Sequence, residues 1–134
     1  MSDPKIDQPT LAACMSDATD GMKQLTDDVT TLAEVFRQHD IGRANYLLAQ
    51  LAQNMQALIV LVQELRGPVT EVGSAVNLPS DQEAEKLVAM LETLITAQST
   101  QDWLTVADVL EYDMEPELRV WLAQFEDVKQ ACAA

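Results

Sequence analysis

The stretch "LAACMSDATDGMKQLTDDVTTLAEVF", residues 11 to 36, decides the fold. Its apolar residues recur at alternating steps of four and three: Leu11, Met15, Ala18, Met22, Leu25, Val29, Leu32 and Phe36. This spacing lines them up along one side of an α-helix, as a narrow seam of the kind found in coiled coils. The stretch therefore predicts a long helix whose seam packs against other helices of the chain or supports a homodimer.

A second helix is predicted from the same rhythm, carried by Ala44, Leu48, Leu51, Met55, Leu58, Val62 and Leu65. Between the two helices, "RQHDIGRAN" holds Asp40, which can cap the second helix, and Gly42, which loosens the turn, so a helical hairpin is expected. The second helix is predicted to stop at Gly67 and Pro68. Glycine tolerates a left-handed turn, and proline lacks an amide donor.

Two further helices follow. "SDQE", residues 80 to 83, predicts a capping box between Ser80 and Glu83 at the start of the third helix. The fourth helix carries Trp103, Ala107, Leu110, Met114, Leu118, Trp121, Phe125 and Val128. Its rhythm slips around Met114, close to Pro116, which predicts a kink because proline removes a helical hydrogen bond and clashes with the preceding turn.

These elements predict an all-α fold, an antiparallel four-helix bundle built from two hairpins, with residues 1–134 as a single domain. Residues 1–9 are expected to be a disordered or loosely ordered amino terminus, and residues 67–79 a linker between the hairpins that lies against the bundle. A shift of 59 residues superposes parts of the two hairpins, which indicates a weak internal repeat.

Composition excludes several functions. The chain has 22 acidic and 8 basic residues and a formal charge of -14, so DNA, RNA and anionic membranes would repel it. It contains no apolar run long enough for a membrane span and no export signal in "MSDPKIDQPTLAA", so a cytoplasmic location is expected. Cys14 and Cys132 lack the spacing of a zinc or redox pair and are expected to be free thiols.

No catalytic constellation stands out. Di-metal sites in helical bundles use Glu-x-x-His on two helices, whereas this chain has one histidine, His39, and no such motif. No metal, no cofactor and no enzymatic activity are therefore expected. His39 also raises the alternative of a signalling bundle of the histidine-phosphotransfer type, although it lies beside the predicted turn rather than in mid-helix.

A different cluster, "ADVLEYDMEPELRVW" at residues 107 to 121, holds five carboxylates within ten positions. A helical wheel places Asp108, Glu111 and Glu115 along the flank of the apolar side, with Glu111 nearest its centre and expected to be partly buried. Its hydrogen-bond partner is expected to be an arginine of another helix, Tyr112 or a tryptophan. A structural role for this stripe is favoured over acid–base chemistry, with Pro116, Trp103 and Trp121 shaping the helix around it.

The same segment carries a resemblance. "QDWLTVADVLEYDMEPELRVW" resembles the pattern Asp-aromatic-x-x-x-Ala-Asp-x-Leu-Glu-Tyr-x-x-x-Pro-x-Leu-x-x-Trp of a functionally uncharacterised group of small bacterial helical proteins, some of them flagella-associated. Type III and flagellar secretion chaperones offer a looser similarity, since they too are small, acidic and helical. The resemblance implies a family without implying an activity.

The second helix shows more apolar surface than one seam needs. Ile59 and Leu61 widen its apolar face on both sides, and Val60 points the opposite way. Either the linker residues Val69, Val72, Val76 and Leu78 cover this surface, or a partner helix does. The favoured interpretation is a non-enzymatic protein-binding adaptor or chaperone-like accessory of bacterial motility or secretion. Its partner would be a helical or basic protein segment.

Overall fold

The computed structural model describes residues 7–71 and 76–133. All regular secondary structure within them is helical: α1 (Gln8–Arg37), α2 (Ile41–Glu71), α3 (Asp81–Ser99), α4 (Trp103–Asp108), a π-helical segment (Val109–Met114) and α5 (Glu115–Ala133). The last three follow one another directly and correspond to the predicted fourth helix. The all-α prediction is thus confirmed over the described residues. None of the described helices is long and apolar enough to cross a membrane.

The helix starts follow their sequence signals. The Asp7 side chain accepts a hydrogen bond from the Thr10 amide at 2.8 Å, which caps α1. Hydrogen bonds from the Thr10 side chain, and then from its amide, hold the pKa of Asp7 below its usual value. Ser80 and Glu83 form the predicted capping box at α3. Since α1 begins at Gln8, the expected loose terminus is wrong for residues 8 and 9, and residues 1–6 lie outside the described part of the chain.

The α1–α2 turn and the α3–α4 turn share one geometry. His39 in the first turn and Gln101 in the second have φ angles of 62° and 58°, and an aspartate follows each of them. The backbone amides of Asp40 and Asp102 reach back to the carbonyl oxygens of Val35 (3.4 Å) and Ala97 (2.8 Å). The prediction that Gly42 loosens the first turn is wrong, because Gly42 lies inside α2 and His39 takes the left-handed position.

The predicted end of α2 at Gly67 and Pro68 is also wrong, because α2 continues to Glu71 with Pro68 inside it. Two contacts support this last turn: Val69 is buried in the core, and the Thr70 hydroxyl donates to the Arg66 carbonyl at 2.8 Å. The predicted linker is correspondingly shorter. Of its apolar residues, Leu78 is buried and Val76 packs against the core, while Val72 lies outside the described residues.

Helix α1 is central to the packing. All eight residues of its predicted seam are buried inside the chain, where α1 contacts α2, α4, the π segment and α5. Gln8 donates to the Cys132 carbonyl at 3.3 Å near one end of α1, and Arg37 contacts Asp108 at the other end. A homodimer through this seam would have to displace the chain's own helices.

An internal repeat connects the two hairpins. The two left-handed turn residues lie 62 positions apart, and the same offset pairs the buried residues Met22, Leu25, Val29, Leu32 and Val35 with Ala84, Leu87, Leu91, Leu94 and Ala97. Beyond the π segment the offset becomes 63, pairing Leu51, Met55, Leu58, Val62, Leu65 and Val69 with Met114, Leu118, Trp121, Phe125, Val128 and Cys132. The π segment therefore contains one residue more than the equivalent part of α2. The offset that relates the two hairpins is 62 residues before the π segment and 63 after it, in place of the predicted 59.

Candidate functional site

The acidic stripe joins two helices. Arg37, at the end of α1, places its Nη2 atom 2.5 Å from Glu111 Oε2 and 3.2 Å from Asp108 Oδ1. The hydrogen bond that Arg37 donates to Glu111, and then the one that it donates to Asp108, raises the pKa of the Arg37 guanidinium above its ordinary value. The predicted arginine partner from another helix is thus confirmed. This contact ties α1 to α4 and the π segment.

The stripe is more exposed than the helical wheel predicts. The Glu111 side chain keeps 46% of its surface exposed, and Tyr112 keeps 67%, whereas Glu115 is the most covered of the three carboxylates and pairs with Arg119. The ranking of Glu111 as the most buried of the three is wrong, because Glu115 is more covered. The wheel assumes an α-helix throughout. In the π segment each turn holds more residues, as the amide of Glu115 shows by donating to the Leu110 carbonyl.

The remaining motif residues occupy both ends of the rearranged helix. Trp103 stacks on Phe36 with ring centroids 5.8 Å apart. Pro116 is exposed and lies just after the π segment, where the sequence predicts a kink. Trp121 is fully buried, and its indole N–H finds no acceptor among the described residues, so it contributes by packing.

The surface around Ile59, Val60 and Leu61 leads to a different site. Ile59 is buried and Val60 is exposed, while Leu61 lines a groove of about 510 Å³ between α1 and α2. This α1–α2 groove is lined by Cys14, Asp17, Ala18, Gly21, Gln24, Leu25 and Asp28 of α1 and by Asn54, Ala57, Leu58 and Leu61 of α2. The lining includes no described linker residue, and Asn77 and Leu78 line a separate cavity instead.

The α1–α2 groove has an apolar floor and an acidic rim. Its α1 residues follow helical spacing from Cys14 to Asp28, which spans about 21 Å at 1.5 Å per residue. Asp28 is half-buried and accepts a hydrogen bond from Gln24 at 2.8 Å, and Asp17 lies on the same side of the helix about three turns earlier. No lysine or arginine is among the residues that line the groove.

The repeat register shows how the two hairpins differ at this groove. The position equivalent to Leu58 is Trp121, whose indole is 0% exposed, and the position equivalent to Ala57 is Val120. The second hairpin thus places an indole where the first hairpin has a smaller side chain beside Gly21. The seam pattern could not reveal this groove, because Gly21 and Ala57 lie outside the seam. The signal that sequence reasoning missed was the presence of these two small residues, Gly21 on α1 and Ala57 on α2, on the sides of the helices that line the groove.

A second, smaller apolar groove of about 300 Å³ lies between α2 and α3. It is lined by Leu48, Ala49, Ala52, Leu91, Leu94, Ile95 and Gln98. Its polar residue, Gln98, already donates to Asn45 at 2.9 Å. This α2–α3 groove carries no charged residue in its lining.

Chemistry-bearing side chains elsewhere are dispersed. Among the described residues, no three His, Cys, Asp or Glu side chains gather in a way that would hold a metal ion. Cys14 and Cys132 are free thiols; Cys132 is buried, which raises its pKa. His39 is exposed in the α1–α2 turn. A phosphotransfer role for it remains a prediction, tested by labelling with a small-molecule phosphodonor before and after His39→Gln.

We expect Glu111→Gln to lower the midpoint of thermal unfolding only slightly, because the pair with Arg37 is open to solvent on one side and Asp108 keeps its own contact. The difference from the wild-type chain should disappear in about 1 M salt, where the Debye length falls to roughly 3 Å. Melting curves at low and high salt measure this. A large loss that persists in high salt would show that Glu111 has a more demanding role.

Comparison with known proteins adds one relationship. No curated protein and no solved structure matches the chain. Residues 14–124, which include the whole α1–α2 groove and the acidic stripe, match the family described as a domain of unknown function, DUF8042. Because this match spans well over half of the sequence, the chain belongs to the DUF8042 family.

Proposed function

We propose that this protein is a non-enzymatic adaptor or chaperone-like accessory that binds a protein partner in the α1–α2 groove. The observation that carries the proposal is an open apolar groove, about 21 Å long and edged by Asp17 and Asp28, on a chain whose helix seams are otherwise buried. Exposed apolar surface of this kind costs free energy in water and is typical of binding sites.

The polar clusters support a structural role outside the groove. Arg37 holds Asp108 and Glu111, and Arg66 binds both the Pro79 carbonyl, at 2.7 Å, and Asp81, at 2.5 Å. Arg37 thus joins α1 to α4 and the π segment, and Arg66 joins α2 to the start of α3. Because these carboxylates are engaged in ion pairs between elements of the fold, a positioning role is favoured for them over a catalytic one.

The proposal extends to the arrangement of the helices, the class of partner and the place of the protein in the cell. Contacts between Gln8 and Cys132 at one end of α1, and between Arg37 and Asp108 at the other, support an antiparallel four-helix bundle. The charge of -14 supports a protein partner over nucleic acid or anionic lipid. The resemblance to flagella-associated helical proteins and to acidic secretion chaperones supports a cytoplasmic accessory of bacterial motility or secretion.

The test compares two groove-filling variants. Leu58→Trp places in the α1–α2 groove the residue found at the equivalent position of the second hairpin, whereas Ala52→Trp fills the α2–α3 groove. We expect tagged wild-type chain and Ala52→Trp to retain the same stoichiometric partner from the native host, and Leu58→Trp to lose it. Circular dichroism checks that both variants fold. Retention by Leu58→Trp with loss by Ala52→Trp would place binding on the other groove.

A further inference from the structure

We infer that the occupant of the α1–α2 groove is an amphipathic α-helix of about four turns, with small apolar residues facing Gly21 and basic residues facing Asp17 and Asp28. This inference rests on the proposed function and names the chemistry of the partner. It is carried by three independent features of the groove: its length and helical lining, an unexplained glycine, and its charge.

The shape of the groove matches a helix. Its lining residues on α1 occupy positions i, i+3, i+4 and i+7 of one helix face from Cys14 to Asp28, and those on α2 do the same from Asn54 to Leu61. A groove between two helices with this periodicity accepts the ridge of a third helix. A small apolar molecule would need only part of the 21 Å length.

Gly21 points to close approach by another chain. It lies in the middle of α1, where glycine destabilises a helix relative to alanine. A Cβ atom added at Gly21 would meet no atom of the described residues within 4 Å, and no positive φ angle requires glycine there. Packing within residues 7–71 and 76–133 therefore does not account for the glycine. A helix lying over Gly21, with Ala18 and Ala57 beside it, would use the missing side chain to bring its backbone close.

Charge selects the sequence of the occupant. Asp17 and Asp28 line the groove about 11 residues, or roughly three helical turns, apart, so basic side chains at both ends of a docked helix can reach them. The half-buried Asp28 is already oriented by Gln24. The charge of -14 on the whole chain attracts a basic segment and repels an acidic one.

The test uses synthetic helical peptides of 18 residues, a length of about five turns. One peptide has alanine and leucine on one face and lysines flanking that face, and a matched peptide has glutamates in place of the lysines. We expect the basic peptide to bind the full chain at least tenfold more tightly, and to slow alkylation of Cys14, which lines the groove. Equal affinities, or binding that leaves Cys14 alkylation unchanged, would overturn the inference.

Variants of Gly21 and of the two aspartates test the helix inference separately from the proposed binding function. Gly21→Ala should raise thermal stability yet lower the affinity for the basic peptide several-fold. The control is Gly42→Ala, at a glycine that also has open space around an added Cβ atom but lies outside the groove, and it should leave the affinity unchanged. The double change Asp17→Asn and Asp28→Asn should remove the preference for lysine. If these variants bind as the wild type does while Leu58→Trp still loses the native partner, the helix inference fails and the binding function stands.

Discussion

Trp121→Ala should lower the free energy of unfolding by about 3–5 kcal/mol, the range for removing a large buried aromatic side chain from a core. The side chain is fully buried in α5, and its indole N–H makes no hydrogen bond among the described residues, so packing accounts for the loss. Urea denaturation followed by circular dichroism measures the change. The slope with urea should stay constant, since the fold is retained.

Trp121→Phe serves as the matched control. Phenylalanine keeps most of the apolar volume and loses no hydrogen bond that the structure shows, so we expect a clearly smaller loss than for alanine. If Trp121→Ala leaves too little folded protein to measure, Trp121→Phe still reports on the site. A loss below about 1 kcal/mol for Trp121→Ala would contradict the placement of this indole in the core.

Deleting Asp113 should destabilise the fold by about 3 kcal/mol or more, unless Pro116 is also replaced. The deletion removes the extra residue of the π segment and restores steps of four and three between Leu110, Met114 and Leu118. In a continuous α-helix the ring of Pro116 would then clash with the carbonyl of the preceding turn, a clash that the π segment relieves. Asp113 is exposed, so little packing is lost with it.

The same deletion combined with Pro116→Ala provides the control. Alanine has both an amide donor and good helix propensity, so most of the lost stability should return in the double variant. Unfolding free energies of the wild type, both single variants and the double variant form a cycle whose coupling term measures the link. No coupling between the deletion and Pro116→Ala would show that the π segment has another cause.

Local patterns determined much of the fold in advance. The seams of α1 and α2 and the Ser80–Glu83 capping box follow from periodicity and simple hydrogen-bond chemistry. An arginine of another helix was one of three partners expected for Glu111, and the structure shows which of them it is. The rhythm slip at Met114 was visible too. The π segment was not predicted, because the nearby Pro116 offered a second cause for a bent helix, and prolines and π segments both bend helices.

The errors share a physical cause, which is that tertiary contacts override local signals. Pro68 does not end α2, because the burial of Val69 holds one more turn in place. His39 adopts a left-handed conformation that glycine would accept more easily. The α1–α2 groove depends on the spacing of two helices and on small side chains outside both seams, so no single segment encodes it.

Photo-crosslinking from the rim of the α1–α2 groove tests most directly whether the groove binds a protein partner. A photo-reactive phenylalanine analogue placed at Gln24, on the groove rim, is irradiated in the native host beside a control probe at the exposed Glu92 of α3. We predict that the Gln24 probe alone forms one dominant adduct, that the adduct maps to a basic helical segment of another protein, and that Leu58→Trp abolishes it. An adduct to a second copy of this chain, an adduct from Glu92 alone, or one that survives Leu58→Trp would contradict recognition through the α1–α2 groove.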